Sequence, residues 1–192
     1  MRILVINGSP RKKGNVATML HHVVKDIEGA SVRWIDVNDL NIRPCTGCMK
    51  CRETEVCILP HDDAHLIAEE IKQCDVLVMG TPVYWGNMNG QMKLLFDRIV
   101  PSMMGESKLG IPIPLHKGKK AVIVTACTTI WPFSFLFKQT TKSLRAMREI
   151  LHYSGFKVIG KVVYSGTKGK KVIPERLLRK SERLGAKLSK LQ

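Results

Sequence analysis

The sequence predicts an α/β fold, a doubly wound parallel sheet of five strands with helices on both faces, and three observations predict it. Short apolar runs recur without polar alternation: Arg2-Ile3-Leu4-Val5-Ile6-Asn7, residues 75–80 (DVLVMG) and residues 119–126 (KKAVIVTA). Runs of this kind are strands covered on both faces by helices. Between them, apolar residues return at helical spacing, and the two patterns alternate along the chain, as parallel sheets with right-handed crossovers require.

Taken in order, Val16, Met19, Leu20, Val23, Val24 and Ile27 stripe a first helix. Residues 31–37 form a second strand, with Val32, Trp34 (or Arg33) and Ile35 in the sheet. A cysteine-rich segment, 45–57, follows. Asp62 and Asp63 then open a helix carrying Leu66, Ile67, Ile71 and a core Cys74. The third strand is 75–80, and Met92, Leu95, Phe96 and Ile99 face the core from the next helix. The fourth strand is 119–126. Leu144, Met147, Ile150 and Leu151 stripe a long helix that stops at Gly155, before a fifth strand over 156–164 and a closing helix over 173–191.

A chain of 192 residues suits one domain, 1–192, with the cysteine-rich loop 45–57 inserted after the second strand. No signal-peptide pattern opens it, and the longest uncharged stretch, 121–137, is short for a membrane span and broken by Pro132. A soluble, cytoplasmic protein is expected. The net charge of +15 calls for a partner. Much of it sits in Lys168, Lys170, Lys171, Arg176, Arg179, Lys180, Arg183, Lys187 and Lys190, opposed only by Glu175 and Glu182. This is either a solvated basic face or a steering surface for an acidic protein or anionic cofactor. No helix-turn-helix, zinc-finger or aromatic RNA-binding signature accompanies the charge, which argues against nucleic acid.

The first strand runs into Gly8-Ser9-Pro10-Arg11-Lys12-Lys13-Gly14-Asn15 and then directly into a helix. A helix start presents unpaired N–H groups and the positive end of its dipole. Ser9 and Asn15 supply side-chain donors, Arg11 supplies charge, and Gly8 and Gly14 permit close backbone approach. The expected ligand group is a phosphate monoester. Gly8 and Gly14 are separated by five residues and followed by Asn15, which excludes a Walker loop, and G-x-G-x-x-G is absent.

In doubly wound sheets, ligands sit at the carboxyl ends of strands near the topological switch point. The loop after the third strand, 81–90 (TPVYWGNMNG), combines aromatic and amide side chains there. It suits a flat heteroaromatic ring, with Tyr84 and Trp85 as apolar walls and Asn87 and backbone groups on the polar edge.

GSPRKKGN at 8–15 and TPVYWGNMNGQMKLLFDR at 81–98 together resemble the flavodoxin-like NAD(P)H-dependent FMN reductases. The resemblance covers the first half of the chain well and the rest loosely, and implies strand order 2-1-3-4-5 and FMN. Ser9, Arg11, Gly14, Asn15 and Val16 would hold the FMN phosphate. Pro82, Val83, Tyr84, Trp85, Gly86 and Asn87 would face the isoalloxazine, with Cys127 at a ligand-facing strand end.

Cys45, Cys48, Cys51 and Cys57 are spaced C-x2-C-x2-C-x5-C, and three thiolates within seven residues can wrap one side of an iron–sulfur cubane. Zinc prefers two separated pairs, while unliganded thiols or a disulfide are the remaining alternatives. The segment, with Asp62-Asp63 after it, looks like that of the iron–sulfur flavoproteins, a branch carrying one [4Fe–4S] cluster per subunit. The stretch 127–137 departs from the family's glycine-rich loop. Its apolar Ile130, Trp131, Phe133, Phe135, Leu136 and Phe137 should roof the flavin or be covered by a second subunit, so a homodimer or higher homo-oligomer is expected.

Flavin chemistry asks little acid–base help from protein, and no hydrolytic constellation is present, so no catalytic side chain is assigned. His21, His22, His61 and His65 read as solvated or capping residues. The expected function is an FMN-dependent oxidoreductase. It would pass electrons from NAD(P)H or an acidic ferredoxin to a small acceptor such as a quinone, flavin or nitro compound, with the cysteine cluster as relay. A non-enzymatic electron carrier or redox sensor is the competing class.

Overall fold

The computed structural model describes residues 1–170 and 172–190. Lys171 of the basic run and Leu191 of the closing helix lie outside them. In chain order the elements are β1 (Arg2–Asn7), α1 (Asn15–Val24), β2 (Ser31–Asp36), a 3-10 turn (Val37–Asp39), α2 (Cys51–Thr54), α3 (Asp63–Gln73) and β3 (Val76–Pro82). They continue with α4 (Gly90–Arg98), α5 (Val100–Met103), β4 (Met104–Glu106), β5 (Pro112–Pro114), β6 (Lys120–Cys127), α6 (Phe133–Leu136), α7 (Gln139–Ser154), β7 (Lys157–Ser165) and α8 (Glu175–Ser189).

Five parallel strands form one sheet in the order β2-β1-β3-β6-β7, the expected 2-1-3-4-5 order once the small β4–β5 ribbon is set aside. Successive strand residues point to opposite faces. Ile3, Val5, Val76, Val78, Val122 and Val124 pack under α1 and α8, and Leu4, Ile6, Leu77, Met79, Ala121 and Ile123 under α3, α4 and α7. Both faces are therefore covered, which is why the central strands carry no polar alternation.

Differences from the sequence expectations are local. Val37 leaves the second strand to enter the 3-10 turn, and the closing helix begins at Glu175 because Pro174 precedes it. Within 100–118, left unassigned by periodicity, α5 and the β4–β5 ribbon are too short to show any period, and Pro101, Pro112 and Pro114 interrupt them. Inside the apolar stretch 127–137, residues Phe133–Leu136 close one helical turn. No helix among the described residues is long and apolar enough to cross a membrane.

Candidate functional site

The loop after β1 is held by a side chain that motif reasoning passes over. Asn7 is fully buried; its Nδ2 donates to Asp36 Oδ1 at 2.6 Å, and its Oδ1 accepts the Ser9 N–H at 3.0 Å. An amide at the end of a buried strand, facing an acid at the end of its neighbour, was the available signal. Ser9 Oγ accepts the Arg11 N–H at 3.2 Å and lies 3.3 Å from its carbonyl, which folds the loop back on itself. At α1 the N-cap is Gly14, and no side chain caps the helix, so its first amides, Asn15 and Val16 among them, stay open toward the loop. Lys12 pairs with Asp39. Arg11 is exposed, and its guanidinium pairs with no described residue.

After β3, the chain turns tightly at Trp85 and Gly86. Tyr84 and Asn87 exchange both backbone hydrogen bonds, at 3.0 and 2.9 Å, with φ at +52° for Trp85 and +75° for Gly86. Two left-handed central residues make this a type I′ turn, which glycine enters without strain and tryptophan does not. Trp85 is fully exposed at its tip and Tyr84 is 48% exposed, so neither is core. Gly86 is buried beside Gln139 and Lys142 of α7. Pro82 and Val83 are half-buried, Val83 donating to the Ala126 carbonyl at 2.8 Å, and Asn87 is exposed.

The two loops share one edge of the sheet. The Gly8 N–H donates to the Gly80 carbonyl at 2.7 Å. A Cβ on Gly8 would lie 2.8 Å from Asn89 Oδ1, the atom that caps α4 and meets Thr81 Oγ1 at 3.0 Å. Open amides and an unpaired guanidinium stand at one end of this edge, and exposed rings on a rigid turn at the other. These residues fit a ligand with a phosphate tail and a flat ring, as FMN has. Cys127 is buried at the end of β6 with its thiol donated to Gln139 Oε1 at 3.1 Å, so it supports α7 from below the aromatic turn.

Cys45, Cys48, Cys51 and Cys57 are free thiols that all line one cavity of about 440 Å³, shared with Arg98 and Met104. Partial burial, and then the neighbouring Cys57, Cys48 and Cys45, push the Cys51 thiol pKa up. Among the described residues no three His, Cys, Asp or Glu side chains stand close enough together to hold a metal ion. The thiols are gathered in one cavity without forming a closed ligand set. The loop between them passes through left-handed Gly47, Met49 and Glu55, which lets it curl over the cavity. Four thiols on one short curled segment are the donor chemistry an iron–sulfur cluster takes.

Both ends of the cysteine segment are pinned. Asp62 caps α3 through the Ala64 N–H at 3.1 Å, accepts the Arg43 N–H at 3.0 Å, and pairs with Arg98 Nη1 at 2.7 Å. Arg98 also donates to the Arg43 carbonyl at 2.6 Å. Burial alone would raise the Asp62 carboxyl, but the Arg43 amide and the Arg98 guanidinium outweigh it and hold the pKa below the usual carboxylate range. At the other end, His65 accepts the Asp62 N–H through Nδ1 at 3.2 Å, and its Nε2 meets the Cys57 carbonyl at 3.0 Å. The capping role expected of His65 is present.

Helix α4 connects the two regions. Its first residue, Gly90, sits at the shared edge and Arg98, its last, sits at the cysteine cavity; eight steps of 1.5 Å separate them by roughly 12 Å. Farther along the sheet, α7, β7 and α8 flank a groove of about 810 Å³ with Arg145, Arg148, Lys161 and Lys180 on its walls and Trp131 and Tyr153 beside them. Burial, then Arg148 and Lys180, lower the Lys161 pKa.

Comparisons with known proteins agree with this geometry. An iron–sulfur flavoprotein of Methanocaldococcus jannaschii is 35% identical over 107 residues, 55% of this chain and 55% of that protein. One from Archaeoglobus fulgidus is 33% identical over 111 residues, 57% and 54% of the two chains. The chain thus spans about half the length of the curated relatives it matches. In fold, an FMN-dependent NADH-azoreductase from Bacillus anthracis, solved in complex with FMN, superposes with a TM-score of 0.72 at 14% identity, covering 99% of this chain and 98% of that one. The family profile described as NADPH-dependent FMN reductase matches residues 1–170. The chain belongs to the NADPH-dependent FMN reductase family.

Proposed function

We propose that the protein is an FMN-dependent oxidoreductase that moves electrons from NAD(P)H or an acidic electron-transfer protein such as a ferredoxin to a small acceptor, a quinone, flavin or nitro compound. The observation that carries this reading is the Gly8–Gly80 hydrogen bond, which joins the open helix start to the strand leading into the aromatic turn. When bound, FMN supplies hydride and single-electron chemistry and a [4Fe–4S] cluster supplies one-electron transfer.

The chain's own residues bind and orient. The amides of Asn15 and Val16, the Ser9 hydroxyl and Arg11 hold the phosphate, whose charge the dipole of α1 favours. The type I′ turn holds Tyr84 and Trp85 against the ring, with Pro82, Val83, Gly86 and Asn87 along its edge. Cys45, Cys48, Cys51 and Cys57 would hold the cluster, the segment around them curling inward to do so. The cations of the α7–α8 groove, four against the single carboxylate of Glu149, suit an acidic protein donor. Exposed Ile130, Trp131, Phe133, Phe135, Leu136 and Phe137 exceed what a monomer leaves in water, and a second copy would cover them close to the aromatic turn.

Anaerobic purification with cofactor analysis tests the reading. The expected product carries FMN, iron and sulfide and oxidises NAD(P)H when a quinone is added. A chain that binds no FMN overturns the reading. One that binds FMN and iron but turns over no acceptor is the electron carrier or redox sensor instead.

A further inference from the structure

The Arg98 side chain is the most buried charge in the described chain, its residue only 2% exposed, and it is paired on one side only. Nη1 and Nη2 are spent on Asp62 and the Arg43 carbonyl. Nε is buried and has no hydrogen-bond partner among the described residues. A buried N–H left unpaired is costly, so Nε calls for an acceptor close beside it. Position narrows what that acceptor is. Arg98 and Cys57 together wall the cysteine cavity and also line a second cavity of about 220 Å³ on the other side, against His61 and His65. The Cys57 sulfur is near enough to interact directly with the guanidinium charge.

We propose that Arg98 is a positioning residue for the cysteine site: its Nε–H donates to the Cys57 sulfur when the four cysteines hold an iron–sulfur cluster, and its charge favours the reduced cluster. This rests on the iron–sulfur reading given above. Four thiolates on one small loop bring concentrated negative charge beside an apolar wall, and one electron taken from the reductant adds another unit. A cation fixed by Asp62 cannot swing away to solvent, so the part of its field that the carboxylate leaves acts on that site from a constant position. Hydrogen bonds to cluster sulfurs and nearby charge are established controls of cluster potential. Asp62 offsets part of the charge while directing the remaining N–H at Cys57.

The test uses the full chain reconstituted anaerobically with iron and sulfide, as wild type, Arg98→Lys and Arg98→Gln. Iron and sulfide per chain are measured, together with the cluster midpoint potential in a dithionite titration followed by electron paramagnetic resonance. Arg98→Lys keeps a cation to pair with Asp62 but places a methylene where the Nε–H stood, so that position has nothing to donate to Cys57. It should bind iron and sulfide as the wild type does while its reduction equilibrium shifts about tenfold toward the oxidised form, ~59 mV for one electron. Arg98→Gln should shift further where it folds, and Arg98→Lys carries the test where it does not. A Lys variant at wild-type potential overturns the role of Arg98 and leaves the iron–sulfur reading standing. A wild-type chain that takes up no iron or sulfide overturns both.

Discussion

Gly8 and Gly80 lie on adjacent strand ends, the amide of the first donating to the carbonyl of the second at 2.7 Å, with Asn89 Oδ1 filling the space a side chain would need. Gly8→Ala would force apart the phosphate loop and the aromatic turn. Overpacking of this kind costs about 1–3 kcal/mol, and FMN affinity should fall at least roughly tenfold. Flavin fluorescence titration and a urea melt on the same variant measure both; wild-type affinity in a folded Gly8→Ala chain would separate the two loops functionally.

The Arg11 guanidinium, in the proposed phosphate loop, pairs with no described residue. Its removal in Arg11→Ala should weaken FMN by about 1.5–3 kcal/mol, the range for a hydrogen bond to a charged group. Riboflavin, which has the ring without the phosphate, should bind wild type and variant alike. Equal weakening of both ligands would place Arg11 elsewhere.

Asp62 and Arg98 are both enclosed, with side-chain exposures of 7% and 0%. Asp62→Ala leaves the guanidinium buried without its partner, which costs about 3–5 kcal/mol. Since the native carboxyl titrates below its ordinary 3.8, the stability it contributes is complete above that pH and is lost as pH falls through the lower native value. Urea denaturation from pH 5 downward should show this slope in the wild type, and Asp62→Asn should flatten it.

His116 is buried against the Phe156 ring, with Nε2 2.7 Å from the Ser102 carbonyl and Nδ1 3.1 Å from Lys119 Nζ. Burial first, with Lys119 and Lys72 adding to it and the Ser102 carbonyl opposing, lowers its pKa below 6.5. The unfolded chain therefore takes up the proton more readily. Stability should be full above pH 6.5 and decline as pH falls toward the native value, and His116→Gln should remove that part of the dependence in thermal melts.

Phe135 and Phe137 project into water from the segment beside Trp131. Sedimentation of the wild type should give a dimer or larger assembly, and the double change Phe135→Ser, Phe137→Ser should shift it toward monomer with unchanged secondary structure. A wild-type monomer would leave these rings as the roof of the flavin pocket.

What was legible in the sequence followed from what periodicity and spacing encode. Continuous burial of Ile3–Leu4–Val5–Ile6 announces a covered strand, and its alternation with helical stripes gives the layer order. The two loops were legible because open helix amides and paired aromatics are local features. Asn7, Asp62 and Arg98 were not, because each acts through a partner 20 or more residues away; the amide closing an apolar run marks Asn7 as unusual but does not name Asp36 as what it faces. The Asp62 cap was visible; its pairing with Arg98, 36 residues on, was not. The β4–β5 ribbon escaped because three-residue strands show no period.

The clamps at Arg43 and Cys57, with the Arg52–Glu106 pair between them, fix the cysteine segment at three posts, while the loops at the sheet edge stand at the opposite end of α4. Insertions, deletions or loss of thiols between those posts need not disturb the sheet. A metal site on this scaffold would thus be a detachable module, separable from the two loops at the sheet edge.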